Sequence, residues 1–336
     1  MRILITGVAG FIGFHLACRL LELGHEVIGY DGITSYYDPA LKRRRLEKLK
    51  SASFSLAEAM LEDRDRITAL LAKTEPDVVI HLAAQAGVRY SNEHPETYIQ
   101  SNLVGTFNLL DACAKNKPRH LLIASTSSVY GGNQSIPFRE IDAADWPVSL
   151  YAATKKAAEA LSHSYAHLHR IPMTCFRFFT VYGPWGRPDM ALFKFVSAIE
   201  KSEPIDVYGY GAMRRDFTYV RDVVDAIVKL IDVIPASTRV GPLDSLSAVA
   251  PWRSVNIGGG NPVDLRDFIS IIESVVRRRA TTRMHPMQPG DVVETFASSD
   301  LLELLTGYRP ETTLVKGVTE FVRWYREYYP AATEPA

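Results

Sequence analysis

The sequence predicts an α/β fold, a doubly wound parallel sheet interleaved with a smaller C-terminal α/β unit. Two observations carry this expectation. Short, continuous, β-branched apolar runs alternate with helical patterns through the first 178 residues, and strands that lack polar alternation are those covered on both faces. After residue 178 the texture changes to glycine, proline, aromatic and basic residues before helical patterns return.

In chain order, RILITG (2–7) reads as a strand and FIGFHLACRLLELG (11–24) as a helix closed by Gly24. HEVIGYD (25–31) is the next strand. DVVIHLAA (77–84) and HLLIAS (120–125) are further buried strands, with TFNLLDACAKN (106–116) a helix between them. A long helix over 151–169 leads into the strand PMTCFRF (172–178). Residues 179–216 place their aromatic and basic side chains mainly in loops. RDVVDAIVKLI (221–231) is helical, and SVNIGGG (254–260) is a strand ending in glycines. The Ser-, Pro- and Ala-rich stretch 235–251 predicts a mobile surface loop. DLRDFISIIESVV, DLLELLTG and GVTEFVRWYREYY make the C-terminal third helical. The sheet unit is expected over 1–180 plus about 217–258, and the smaller unit over about 181–216 plus 259–336.

The 336 residues suffice for a real core, and 47% hydrophobic with 23% charged residues fits an ordinary soluble globular chain. Lys+Arg and Asp+Glu both number 38, so no overall field draws in nucleic acid or an acidic membrane. Cys18, Cys113 and Cys175 are far apart without CxxC spacing, which predicts reduced thiols, no disulfide framework and no zinc site. Arg2 before an apolar stretch imitates an export signal, but the glycine rhythm and His15 spoil its apolar core. No apolar span of about 18 residues occurs. A cytoplasmic protein is expected.

Gly7, Gly10 and Gly13 form G-x-x-G-x-x-G between a strand and a helix. Glycines there let the backbone approach a pyrophosphate at a helix N-terminus, where free amides and the helix dipole favour negative charge. Asp31 ends the second strand, where a carboxylate accepts hydrogen bonds from ribose hydroxyls and repels a 2′-phosphate. The pattern is that of a Rossmann-type site for NAD. Tyr151 and Lys155, in YAATK, share one helix face. A free tyrosine titrates near pH 10; a nearby ammonium and the positive nicotinamide ring both favour phenolate.

GVAGFIG, HLAAQAG, the ASTSSVYG strand end and YAATK, in this order, resemble the extended short-chain dehydrogenase/reductases that act on nucleotide sugars. SYYDPALKRRRLEKL (35–49), HLAAQAGVRYS (81–91), VYGPWGRPDMALFKF (181–195) and YGYGAMRRDFTYV (208–220) are similar to UDP-glucuronate 4-epimerases. That resemblance implies reversible C4 epimerisation of a UDP-sugar by transient oxidation with resident NAD. Tyr151 would be the base on the 4-hydroxyl, Lys155 would hold the nicotinamide ribose, and Thr126 would bond the same oxygen. Phe11, Ile12, Leu61, Leu82, Ala83, Ala84 and Ser125 would complete the NAD site. Related 4,6-dehydratases carry Asp and Glu at the positions of Ser127 and Ser128, and the decarboxylases carry Glu at the second. Two serines therefore favour plain epimerisation. A 4-keto uronic acid is a β-keto acid, so an epimerase must grip the carboxylate, and Arg187 is the candidate clamp. By the same resemblance Thr180 and Arg89 face the sugar, Arg215 the diphosphate with Arg214 as its solvated neighbour, Tyr208 the uracil, and Asp291 the uridine ribose.

Two departures stand out: Met60 replaces the Asp that binds adenine in relatives, and Gly32 replaces an Asn after the ribose carboxylate. His163, His167 and His169 lack carboxylate company and are assigned to the solvated side of a helix, not to a metal. Of two roles for the basic run 42–45, contact with the adenine end of NAD or facing water, the second is the expectation. The rival readings are a neutral UDP-hexose 4-epimerase, an unusual UDP-glucuronate decarboxylase, and a silent NAD-binding scaffold. Arg187 weighs against the first, Ser128 against the second, and the intact Thr126, Tyr151 and Lys155 against the third. Relatives commonly pair through two helices per subunit, here 98–116 and 151–169, so a homodimer is expected.

Overall fold

The structure, a computed structural model, describes residues 1–288 and 290–330. Its elements in order begin with β1 (Arg2–Thr6), α1 (Phe11–Glu22), β2 (Glu26–Asp31), α2 (Pro39–Leu49), β3 (Phe54–Glu58), α3 (Arg64–Thr74) and β4 (Val78–His81). Short α4 (Tyr90–Glu93) and α5 (Pro95–Tyr98) lead through a wide turn into α6 (Gly105–Lys115), then β5 (His120–Thr126), α7 (Leu150–His169) and β6 (Met173–Phe178). There follow β7 (Thr180–Tyr182), α8 (Ala191–Glu200), β8 (Ile205–Val207), β9 (Arg214–Tyr219), α9 (Val220–Leu230) and β10 (Trp252–Ile257). The last elements are β11 (Pro262–Asp264), α10 (Leu265–Val276), β12 (Thr282–Met284), α11 (Asp300–Thr306) and α12 (Leu314–Tyr328).

Seven strands form one sheet in the order β10-β6-β5-β4-β1-β2-β3, every pairing parallel. The strand order reverses between β1 and β4, which opens a crevice at their carboxyl ends. Alternation along β1 shows why both faces are apolar: Ile3 and Ile5 join the core shared with α1 and α9, while Leu4 joins the opposite core with α3 and α6. A three-stranded sheet, β11-β9-β7, and the pair β12-β8 carry the rest.

Three expectations need correction. Residues 179–216 are not mainly loop: β7, α8, β8 and the start of β9 lie there, and Arg214 and Arg215 project from a strand. Leu192, Phe193, Phe195, Val196 and Ile199 give α8 its buried stripe at helical spacing. The stretch 235–251 is not loose, because the fully buried Asp244 grips Arg253 at 2.8 and 3.0 Å. Half-buried His163 and exposed His167 add bonds to Ser247 and Val249 at 2.9 and 2.7 Å, so the solvated side of α7 also holds this segment. The basic run also divides by helical period: Arg43 and Arg44 are exposed, whereas Lys42 and Arg45 are buried. Arg45 donates to the Ala9 carbonyl at 2.8 Å and bolts α2 beneath the glycine turn. Among the described residues, no helix is long and apolar enough to cross a membrane.

Candidate active site

The glycine turn fits a dinucleotide for a reason visible in its packing. Gly7 has φ +75°, and a Cβ there would lie 2.7 Å from the Ala83 nitrogen; one on Gly13 would lie 2.1 Å from the Gly7 carbonyl. Side chains are thus excluded from the cradle at the start of α1, whose first amides remain free to meet phosphate. Asp31 closes the far side. Its two oxygens accept from the Ala9 and Ile33 amides at 2.9 and 2.8 Å, which fixes the carboxylate and leaves further acceptor capacity for ribose hydroxyls. A cleft of about 270 Å³ runs from Asp31 to Tyr151. Gly7, Gly10, Phe11, Ile12, Gly13, Leu61, Leu82, Ala83, Ala84, Ser125, Thr126 and Lys155 all line it. The Ser125 hydroxyl itself is engaged elsewhere, donating to Glu159 at 2.6 Å.

The two departures at the adenine end are physically one. A Cβ on residue 32 would come within 2.1 Å of the Met60 sulfur, so the thioether fills the space that a larger residue 32 would need. Met60 and Leu61 both line the cleft there.

Ser149 caps α7 by accepting from the Ala152 amide at 3.1 Å and so sets the phase of the Tyr151 and Lys155 face. Both side chains lie in the cleft wall. Lys155 donates to the Ala124 carbonyl at 2.9 Å, and burial lowers its ammonium to about 8 against the pull of Cys175 and Glu159. Burial pushes the Tyr151 phenol up, while the Thr126 hydroxyl and the Arg187 charge pull it down. The expected acidifying effect of Lys155 is therefore not what sets the phenol in the protein alone. Its ammonium is turned toward the strand carbonyl, and burial dominates. Thr126 ends β5 and accepts from the Ser128 amide at 3.2 Å, so the hydroxyl run is held by a tight turn over Ser127–Tyr130.

Beneath this turn lies a polar network that the sequence reading missed. Arg177 on β6 forms a two-point pair with Glu159 on α7, both contacts at 2.9 Å and both side chains buried. Glu159 also accepts from Ser125, so one carboxylate ties α7, β5 and β6 together directly behind Thr126 and Lys155. The available signal was an arginine inside the apolar strand MTCFRF, with Glu159 one helical turn after Lys155.

The remaining candidates fall into two groups. Arg187 lines the cleft, and its Nε and Nη2 meet Asp189 at 3.0 and 2.7 Å. Burial opposes ionisation of Asp189, yet the guanidinium holds its carboxyl below the usual range. Thr180, on β7, shares a small adjoining cavity with Arg187. Farther out, Tyr208 stacks on His285 at 5.2 Å, and Arg89 lies over the Tyr208 ring at 4.1 Å while pairing with Asp291 at 2.9 Å. Arg89 thus belongs with Tyr208 and Asp291, not with the sugar-facing group expected of it. Arg215 donates to the carbonyls of Arg214 and Val293, and exposed Arg214 pairs with Glu294 at 2.9 Å. Tyr36, Tyr37, Gln85, Ser101 and Met190 also line the cleft and were not singled out in advance, and Lys42 of the basic run lines it too.

Removing hydride from a secondary alcohol requires a proton acceptor buried beside a dinucleotide, and this cleft unites a buried phenol with a glycine cradle of the shape a dinucleotide needs. The fold and site together define a nicotinamide-dependent enzyme of the short-chain dehydrogenase/reductase class. Residues 3–240 match the model of the NAD dependent epimerase/dehydratase family, and the chain belongs to that family. It is 56% identical over 337 residues to a probable UDP-glucuronate 4-epimerase of Rhizobium meliloti, covering 99% of both chains. UDP-glucuronate 4-epimerase 4 of Arabidopsis thaliana is 42% identical over 334 residues, 98% of this chain and 76% of that one. The crystal structure of UDP-glucuronic acid 4-epimerase from Bacillus cereus, in complex with UDP-glucuronic acid and NAD, superposes with a TM-score of 0.88. That comparison has 31% identity and covers 98% of this chain and 100% of the other.

Proposed function

We propose that the protein interconverts UDP-glucuronate and UDP-galacturonate by inverting C4. One observation carries the reading: Tyr151, Thr126 and Arg187 line one cleft with the glycine cradle, and residues 127 and 128, next to Thr126, are serines. The 56% identical relative, named a probable UDP-glucuronate 4-epimerase, supports it. Bound NAD⁺ supplies the acceptor for the C4 hydride and returns it afterwards, so no net redox change occurs. Tyr151 takes the 4-hydroxyl proton as the hydride leaves and gives it back when the opposite face is reduced. Thr126 bonds the same oxygen, and Lys155 holds the nicotinamide ribose. Ser127 and Ser128 offer hydroxyls without an acid or base strong enough for elimination. Arg187 and Thr180 hold the C6 end, Arg215 the diphosphate, and Tyr208 and Asp291 the uridine, with Arg89 bracing those two.

The protein is proposed to work in the cytoplasm, supplying an activated sugar acid for polysaccharide assembly. It is proposed to pair as a homodimer through the faces of α6 and α7. Phe107 and Leu168, at 37% and 67% exposure, give those faces exposed apolar area.

The test is incubation with UDP-glucuronate followed by NMR of the products. UDP-galacturonate supports the proposal, a UDP-pentose with CO₂ supports decarboxylation, and inertness toward all UDP-sugars supports a binding scaffold. Tyr151→Phe should abolish turnover, by about 10³-fold or more, with NAD still bound.

A further inference from the structure

Arg187 is held from behind by residues that have no assigned part in the reaction. Its side-on edge, Nε and Nη2, meets both oxygens of Asp189, and the Tyr36 hydroxyl donates to Asp189 Oδ2 at 3.1 Å. Tyr36 comes from the loop after β2, 153 positions earlier in the chain. That ring packs against Tyr90 at 4.7 Å, and the Gly87 backbone, at φ +106°, passes so near that a Cβ would lie 2.6 Å from its hydroxyl. A bidentate carboxylate fixes the plane of a guanidinium as well as its place. Among the described residues, Nη1 makes no hydrogen bond within the chain, and Nη2 has only a further 3.7 Å contact with the Met190 sulfur. The Nη1 edge is therefore the one offered to a ligand.

We propose that Asp189 and Tyr36 are positioning residues that orient the Nη1 edge of Arg187 onto the C6 carboxylate of the sugar and thereby prevent its loss as CO₂. This rests on the uronate reading above. Once C4 is a ketone, breaking the C5–C6 bond would send its electron pair into the C4 carbonyl as an enolate and release CO₂. Transfer of a proton from water to C5 of the enolate, leaving hydroxide that CO₂ takes up as bicarbonate, would then give the 4-keto pentose. That path needs the C5–C6 bond parallel to the carbonyl π orbitals. A guanidinium fixed in one plane can hold the carboxylate so that the bond lies near the plane of the carbonyl instead. An arginine free to choose among its rotamers could not.

The experiment compares wild type with Asp189→Asn and the milder Tyr36→Phe, which removes one hydroxyl. Bound NAD and circular dichroism report folding, calorimetry gives Kd for UDP-glucuronate, and NMR gives the share of turnovers ending in 4-keto pentose and CO₂. In Asp189→Asn, binding should weaken about tenfold and the CO₂ share rise severalfold, with NAD content unchanged and Tyr36→Phe intermediate. Asp189→Glu should restore part of both. If either variant folds with NAD yet keeps the wild-type Kd and CO₂ share, the proposal is overturned. A uniform loss of rate without change in either quantity overturns it too. A wild-type protein inert toward UDP-glucuronate would sink the underlying reading and this proposal with it, whereas an active wild type with an indifferent Asp189→Asn sinks this proposal alone.

Discussion

Glu140 shows how far one buried side chain can couple stability to pH. It is 6% exposed, and burial raises its carboxyl to about 7 although the Asn256 amide, at 2.8 Å, favours the charged form. An acid whose folded value exceeds its unfolded value holds a proton that the unfolded chain has released. Its contribution is complete below about 4.5 and is lost as pH rises through about 7. Glu140→Gln keeps an acceptor for Asn256 and cannot ionise. The variant should therefore gain on wild type between pH 5 and 8, by about 1–3 kcal/mol at the upper end. Thermal melts at both pH values decide it, since a difference independent of pH would refute the assignment. At this scale the sequence was generous with reacting groups and poor with their supports. Tyr151, Lys155 and Asp31 stand in short local patterns. Asp189 and Tyr36, 153 positions apart, and Glu159 and Arg177, on successive elements, become partners only once the chain has packed.

Between elements, the adenine end offers a direct test of coupling. Gly32 leaves β2 and Met60 leaves β3, and the sulfur of one occupies the space above the other. Gly32→Ala should displace Met60 and weaken NAD binding severalfold, while Met60→Ala should cost less. The double variant should recover part of the loss, a coupling of about 1 kcal/mol. Strict additivity in NAD titrations would show that the two departures are unrelated. Elements with strong periodicity or continuous apolar runs were legible in advance: the strands near 2–7, 25–31 and 120–125, and the helix near 151–169, appear as β1, β2, β5 and α7. β3 was not legible, because FSLAE is half exposed at the sheet edge and shows no apolar run. β7, β8, β11 and β12 have three residues each and take their form from partners remote in sequence.

For the whole molecule, the buried side chains predict cooperativity that a division into a sheet unit and a smaller unit would not. One contiguous core joins Ile3 and Ile5 of β1, Phe14 of α1, Phe195 of α8, Phe268 of α10 and Phe321 of α12. Trp185 bridges its parts, with its ring 5.5 Å from Phe14 and 5.4 Å from Trp324. A chain that leaves the main sheet after β6, returns for α9 and β10, and leaves again cannot easily unfold one part while sparing the other. Every crossing would expose apolar surface at roughly 25 cal/mol per Å². Equilibrium unfolding of the NAD-bound protein should therefore be a single transition. Far-UV circular dichroism follows helices throughout the chain, and tryptophan fluorescence follows Trp146, Trp185, Trp252 and Trp324. Their midpoints in denaturant should coincide, and bound NAD should move both together. Separated midpoints, or an NAD shift seen by only one probe, would mean that the two parts open independently and that the shared core is weaker than its packing suggests.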